Sequence, residues 1–400
     1  YKAGKGMNHG YIILKSGKEQ SPKRYRAWIF LKKKKKTSGN FTEGDMVKVF
    51  SNKDEFLGIG HYQPGTIAVR IFSFEDKMID QDFWNDKLSH ALNLREKFGY
   101  LNNEQTNACR LVNAEGDGLP GLIIDYYNGV AVMQAHSVGM HQLNTPLVEM
   151  LKNWFGHDLK AVYDKSSSSL PYHADIKTND RYLYGAAINH KIQENSLQFQ
   201  VDWENGQKTG FFIDQRENRR LLKSLARDAR VLNLFGYTGG FSVYAAAGGC
   251  KRVVTVDSSQ NAIELAKYNM SLNFDQSINH EALTLEAFNY LKQTDEKFDI
   301  IVLDPPAFAK HFKVLPNALQ GYKKLNRLAI EKIQSNGLIF TFSCSQVVSR
   351  ENFRKMIFTA SANTGRKVKI LDQLNQPADH PVSIYHPEGE YLKGLVLQVE

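Results

Sequence analysis

The chain of 400 residues is too long for one ordinary domain, and at roughly 150 residues apiece two to three are expected. With 42% hydrophobic and 23% charged residues its composition excludes a fibrous or largely disordered protein, and no apolar run nears the ~18 residues that span a bilayer. Of the net charge of +9, residues 1–70 hold 12 Lys and 3 Arg against 5 acidic residues, a local excess of +10 that leaves the remainder nearly neutral.

A basic end on a neutral body points to a polyanion, RNA or DNA before membrane, because no amphipathic helix with an apolar face lies there. A solvated patch that merely aids solubility is the bland alternative. Tyr1 to Gly10 carry no apolar core of a signal peptide, and Met7 reads as the native start. Cys109, Cys250 and Cys344 are too scattered for a disulfide framework or a cysteine-rich zinc site, which suits a reducing, cytoplasmic compartment. No metal ligand set is expected.

Short strands open the chain. Tyr11 to Leu14 is one apolar run, and Met46 to Phe50 and Thr66 to Arg70 alternate with period two. Turn chemistry at Ser51 to Asp54 and Gln63-Pro64-Gly65 separates them, so a small β-barrel over 1–75 fits. The run Lys32 to Lys36 follows the strand Trp28-Ile29-Phe30 and precedes the Gly39-Asn40 turn. Five like charges in a row repel one another and belong on a surface, with phosphate as their natural counterion.

Residues 76–190 read as a separate α+β unit. Helical spacing marks Asp82 to Phe98 and Leu143 to Phe155, and strands are expected at Leu122 to Tyr126 and Gly129 to Met133. No catalytic constellation stands out there; Asp117 to Gly121 is most simply a tight turn, and Ser166 to Ser169 a polar loop.

From 191 to 400 strand and helix alternate, the mark of an α/β doubly wound parallel sheet. Strands are expected at Val231 to Phe235, Val253 to Val256, Ile300 to Leu303, Leu338 to Phe342 and Leu395 to Val399, with a helix at Asn261 to Leu272 capped by Ser258 or Ser259. Ligands of such sheets bind beyond the carboxyl ends of the strands. After the first strand, Phe235 to Phe241 forms a Gly-rich turn, and Asp257 ends the second strand 21 residues beyond Gly236, where a ribose-binding carboxylate belongs. NAD and S-adenosylmethionine both use that geometry. The next strand ends in Asp304-Pro305-Pro306-Ala307-Phe308, whose prolines stiffen a loop carrying a carboxylate and an aromatic ring. That pairing suits a flipped-out base, stacked and hydrogen-bonded, and not a hydride transfer.

The fourth strand ends in Ser343-Cys344-Ser345, 40 residues after Asp304. A lone Cys is usually a small core hydrophobe, but this one is flanked by serines at the ligand edge of the sheet. A thiolate there has a use. Adding to carbon 6 of a pyrimidine, it makes carbon 5 nucleophilic enough to take a methyl group, a device that nitrogen methylation does not need.

Together Phe235-Gly-Tyr-Thr-Gly-Gly-Phe241, Asp304-Pro-Pro-Ala-Phe308, Phe342-Ser-Cys-Ser345 and Lys208-Thr-Gly-Phe-Phe-Ile-Asp-Gln-Arg-Glu-Asn218 resemble the PUA-containing 23S rRNA (cytosine-C5)-methyltransferase family. Glu115 to Leu122, Ala378-Asp-His-Pro381 and Pro387 to Gly394 extend the likeness to nearly the whole chain. The resemblance implies an N-terminal RNA-binding PUA barrel, a central domain and a C-terminal class I Rossmann-like domain using S-adenosylmethionine on large-subunit 23S ribosomal RNA, with a homodimer left open. It would place Asn233, Phe235, Tyr237, Thr238 and Gly239 at the methionine end of the cofactor, Asp257 and Ser258 at the ribose, Glu286 and Ala287 at the adenine, and Asp214 and Gln215 closing over it. Cys344 would be the nucleophile and Asp304 its partner on the base, with Pro305, Pro306 and Phe308 on the substrate side and Lys32 and Lys34 on RNA phosphate. Three features depart from the family. Glu286 stands where an Asp is usual, Arg26-Ala27-Trp28 replaces a His-Pro-Trp stretch, and the general base is unassigned, with Glu388 and His380 as candidates. The rival readings are a methyltransferase acting on a base nitrogen such as guanine N7, and a non-catalytic RNA-binding assembly factor.

Overall fold

The computed structural model describes residues 10–171, 178–186, 189–275, 277–309 and 311–400. The expectation about a native start at Met7 lies outside them. The chain divides into two compact units: Tyr1–His190 with Asp202–Phe211 and Ala378–Gly389, and Lys191–Val201 with Phe212–Pro377 and Glu390–Glu400.

Among the described residues, the first unit contains two sheets. Strands β1 (Gly10–Leu14), β2 (Trp28–Phe30), β3 (Lys34–Ser38), β4 (Met46–Phe50), β5 (Phe56–Tyr62) and β6 (Ile67–Ser73) form one, in the order β2-β6-β5-β4-β1-β3. Their alternating inward residues, Ile12, Leu14, Ile29, Val47, Val49, Leu57, Val69 and Ile71, make a small core. The lysine run is not a simple connection. Lys34–Ser38 is the edge strand β3, antiparallel to β1, and Lys35 and Lys36 are exposed. Charged lysines on an edge discourage pairing with other chains.

Strands β7 (Ala108–Asn113), β8 (Leu122–Tyr127), β9 (Val130–Ala135), β10 (Ala161–Asp164) and β11 (Arg181–Gly185) form the second sheet, backed by the helices Gln81–Lys97 and Asn144–Phe155. The turn at Asp117 does more than reverse the chain. Its carboxylate takes a bidentate pair from the buried Arg95 at 2.6 and 2.8 Å, and Arg95 also donates to the Asp379 carbonyl at 2.7 Å. Removing either partner would leave a buried charge unpaired.

In the second unit a hairpin, β12 (Lys191–Glu194) and β13 (Leu197–Gln200), precedes the large sheet. That sheet comprises β14 (Arg230–Leu234), β15 (Arg252–Asp257), β16 (His280–Thr284), β17 (Phe298–Leu303), β18 (Ile333–Ser343), β19 (Val368–Leu374) and β20 (Lys393–Val399). The order is β16-β15-β14-β17-β18-β20-β19; neighbours from β16 to β18 run parallel, and β20 is antiparallel to both β18 and β19. Strands β14, β15, β17 and β18 are near-continuous Val, Ile, Leu and Phe, as burial on both faces requires. The strand order reverses between β14 and β17, so the crevice beyond their carboxyl ends is the expected ligand site.

Candidate active site

The turn after β14 is held in an uncommon conformation. Phe235 and Tyr237 have φ of 59° and 44°, and Gly239 follows at 73° before the helix Gly240–Ala247 begins. A Cβ on Gly236 would lie 2.4 Å from the Thr255 methyl, so the close approach of this turn to β15 requires glycine. Two non-glycine residues at positive φ in one five-residue turn mark stored strain, which concentrates at functional sites. Tyr237 donates its backbone N–H to the Asp257 carboxylate at 3.0 Å, and Ser259 donates its own to the other oxygen at 2.9 Å. Asp257 is thus fixed at the end of β15 while remaining partly exposed.

Asn233 Nδ2 donates to Ser242 at 2.9 Å, but its Oδ1 is buried without a hydrogen-bond partner. A buried acceptor left unmatched costs free energy and fits a ligand that brings a donor, such as an amino-acid ammonium. Thr238 is buried, its carbonyl accepting from Asn269 at 2.8 Å. Ser258 is exposed, and Ser259, not Ser258, caps the following helix by accepting from Ala262 N–H. Glu286 is exposed beyond β16, at the N-cap of the helix Ala287–Gln293, and Ala287 is buried. These residues line the carboxyl ends of β14, β15 and β16.

Across the reversal, Asp304 follows β17. Gln215 hydrogen-bonds to its side chain and is itself oriented by Asn218, which donates to Gln215 Oε1 at 2.6 Å. Burial, reinforced by the nearby Asp214 carboxylate, pushes the Asp304 carboxyl up to about 7, against the Gln215 hydrogen bond and the Arg219 charge. One oxygen of Asp214 accepts from Tyr391 Oη at 2.7 Å and the other is buried without a partner. Burial thus keeps the Asp304 carboxyl poised near neutrality, as groups at functional sites often are.

Parallel pairing of β17 with β18 brings the remaining motif alongside. Cys344 Sγ lies 3.9 Å from the Pro305 carbonyl, so residues 39 apart in sequence meet at one point. Ser345 Oγ donates to the Ala309 carbonyl at 2.5 Å, tying the two loops together, and Ser343 Oγ donates to Tyr322 Oη at 3.0 Å. The thiol is not activated as it stands. Burial pushes it up to about 12, with Asp304 and Asp214 adding to the rise and Lys393 opposing it.

A family match decides the assignment. Residues 171–387 match the S-adenosylmethionine-dependent methyltransferase family, and "Ribosomal RNA large subunit methyltransferase I" of Alteromonas mediterranea is 37% identical over 97% of this chain and 98% of its own. The chain belongs to the ribosomal RNA large subunit methyltransferase I family. The same-named protein of Aeromonas salmonicida is 35% identical over 97% of this chain and 99% of its own. Residues 12–74 match a PUA-like domain. Among solved structures, one from Streptococcus mutans assigned to the SAM-dependent methyltransferases shares the fold with TM-score 0.82 and 24% identity, over 97% of this chain and 99% of that one. Another, assigned as a methyltransferase and complexed with SAH, has TM-score 0.84 and 25% identity over the same shares. The fold is that of a class I methyltransferase with a PUA-like N-terminal domain, and the cofactor is S-adenosylmethionine.

Within this family member, other expected residues lie as follows. Pro305 is buried and Pro306 exposed, while the Phe308 ring packs on Tyr322 at 4.5 Å and Phe288 at 6.4 Å and is partly buried. Lys32 is exposed and Lys34 partly so, both in the first unit. Of the two candidate bases, both in the first unit, Glu388 is ion-paired to Arg26 and His380 is buried against Asp379 at 2.9 Å. Lys393 and Tyr391 were not foreseen as site residues, although a lone Lys heading the apolar run Gly394 to Leu397 was a signal in the sequence.

Proposed function

We propose that this methyltransferase is a cytoplasmic enzyme that forms 5-methylcytosine in 23S ribosomal RNA, with Cys344 adding to carbon 6 of the target cytosine. The observation that carries the reading is the junction of the Cys344 thiol with the Asp304-Pro305 loop at the strand ends. The names of the most similar relatives support a large-subunit ribosomal RNA substrate.

In this reading Asn233 and the turn Phe235 to Gly239 hold the amino-acid end of the cofactor, with Asn233 Oδ1 accepting from its ammonium. Asp257 and Ser258 take the ribose hydroxyls, Glu286 and Ala287 the adenine, and Asp214 and Gln215 close the site. Bound there, the cofactor supplies an electrophilic methyl group. Asp304, with a carboxyl near 7, is half protonated at neutral pH and can donate to the N3 edge of cytosine. That draws electron density from carbon 6 and prepares it for sulfur. The thiol loses its proton to water, the thiolate bonds to carbon 6 as N3 takes the proton from Asp304, and the ring becomes nucleophilic at carbon 5. After methylation a base takes the carbon 5 proton and the carbon–sulfur bond breaks, restoring the thiolate. Pro305, Pro306 and Phe308 shape the wall against the base, and Lys32 and Lys34 bind RNA phosphate.

The raised thiol is the observation that favours the rival, methylation of a ring nitrogen with Cys344 idle. Transfer of a tritiated methyl group to unmodified ribosomal RNA, followed by nucleoside mass spectrometry, separates the two. Wild type should give 5-methylcytosine and Cys344→Ala should give at least 10³-fold less, the scale of losing a covalent nucleophile. A methylated purine, or label that survives in Cys344→Ala, would sink the thiolate mechanism, and absence of transfer under any condition would favour the assembly factor.

A further inference from the structure

Cys344 sits in a corner that resists ionisation. Asp304 after β17 and Asp214 ahead of the helix Arg216–Leu225 both add to the burial that raises the thiol, and Tyr322 lies close by on the helix Leu315–Lys332. A nucleophilic thiolate therefore needs a cation. Lys393 heads β20, is 3% exposed, and lies directly opposite Ser343 in the antiparallel pairing with β18. Its Nζ donates to the Ser345 carbonyl at 2.7 Å. It thus engages the residues on both sides of Cys344, so its position is fixed relative to the thiol by ladder and hydrogen bond together.

The energetics point the same way. A lysine that is almost wholly buried is expensive, and among the described residues no ion pair joins it to a carboxylate. Burial, helped by Arg350, lowers it to about 8 against the opposing pull of Cys344 and Glu390. Glu390 itself is engaged by Arg350 at 2.6 Å. A purely structural anchor for the Ser345 carbonyl needs no charge, since a neutral donor would serve.

We propose that Lys393 is a positioning residue for Cys344, its ammonium supplying the counter-charge that lets the thiol ionise. The proposal rests on the reading of Cys344 as nucleophile and extends it. The S–H bond breaks, the proton leaves to water, and the electron pair stays on sulfur facing the ammonium. When Asp304 takes up its own proton, one of the opposing negative charges disappears and the ammonium acts on the thiol with less opposition.

The sign of the pH dependence follows. Below about pH 8 Lys393 is charged and its help is complete; as pH rises through that value the help fades. The test is the rate of Cys344 alkylation by iodoacetamide between pH 6 and 10, read on the Cys344 peptide by mass spectrometry, in the full chain without RNA. Lys393→Met should alkylate about tenfold more slowly than wild type at pH 7, the effect of one pKa unit, with the gap closing above pH 9. Lys393→Arg keeps a charge at every pH and should restore the rate at pH 7 and exceed wild type above pH 9. Circular dichroism and calorimetric titration with S-adenosylmethionine establish that each variant is folded. A folded Lys393→Met with the wild-type pH profile overturns the proposal, as does a Lys393→Arg that behaves like Lys393→Met. Because alkylation needs no methyl transfer, a wild-type profile in Lys393→Met refutes the role of Lys393 alone, whereas full methylation by Cys344→Ala refutes the nucleophile reading alone.

Discussion

At the carboxyl ends of β17 and β18 and the start of β20 the chain gathers Asp304, Cys344 and Lys393, and burial displaces each from its ordinary pKa. Five lysines follow one another through the turn Leu31–Lys33 and into the edge strand β3, with Lys32, Lys35 and Lys36 exposed. The first region has little net charge and the second a great deal, yet the first is where charge has chemical consequence. Water screens an exposed lysine to a fraction of its Coulomb energy, so many are needed to hold a polyanion. Desolvation makes a single carboxylate or ammonium decisive, provided its neighbours are fixed.

Replacing Asp304 breaks the buried half of this comparison most severely. Asp304→Asn removes the proposed proton donor to the base and should lower methyl transfer by about 10²–10⁴-fold. Stability should move the other way. The folded-state pKa of about 7 lies above the ordinary value of 3.8, so the fold disfavours the ionised carboxyl. Stability is fully present below pH 4 and is lost as pH rises through 7. The variant should therefore match wild type in thermal unfolding near pH 4 and exceed it at pH 8 by ~2–4 kcal/mol. A gain of equal size at both pH values would mean that Asp304 is not held protonated by burial.

The two regions also differed in how they could be read. The parallel sheet was legible because its central strands carry near-continuous apolar runs and three of them lead into a distinctive residue, Asp257, Asp304 or Cys344. The strands that escaped, β16 and β19, are edges; Lys369 to Gln373 are exposed, so no apolar run announces them. Strand β5 escaped for another reason. Gly58 and Gly60 interrupt its pattern, Gly60 because a Cβ would lie 2.3 Å from the Arg70 carbonyl oxygen on β6. The lysine run read as surface from charge alone, but its strand character depends on pairing with β1, which no local pattern encodes. In the site, motif residues were visible and their electrostatics were not. The sequence offered Cys344 as a nucleophile, and only the fold reveals that Asp304 and Asp214 both oppose its ionisation. Likewise Glu388 and Glu390 are neighbours in one sequence motif, yet they fall in different compact units.

The exposed half is tested by charge removal. Changing Lys32, Lys34, Lys35 and Lys36 together to Gln should weaken binding of a ribosomal RNA fragment by about 10–100-fold at 0.1 M salt. The slope of log affinity against log salt should flatten by ~2–3, because each exposed phosphate contact carries a fraction of one released ion. Turnover at saturating RNA should stay within about twofold of wild type, the reverse of what Asp304→Asn does. If turnover falls and the salt slope does not change, the strand is not a polyanion surface.

The smallest effect falls between two adjacent serines that the sequence left interchangeable. Ser259 caps the helix Gln260–Asn273, its hydroxyl accepting from Ala262 N–H at 3.3 Å, whereas Ser258 is exposed beside the Asp257 carboxylate. Ser259→Ala should cost about 1 kcal/mol of stability, and little cofactor affinity, because Asp257 keeps the backbone N–H of residue 259. Ser258→Ala should leave unfolding unchanged and weaken S-adenosylmethionine by a few-fold, the scale of one partly exposed hydrogen bond. Calorimetric titration and chemical denaturation on the pair would separate capping from binding at a distance of one residue. An equal loss of affinity in both variants would place the helix terminus itself, and not the Ser258 hydroxyl, in contact with the ribose.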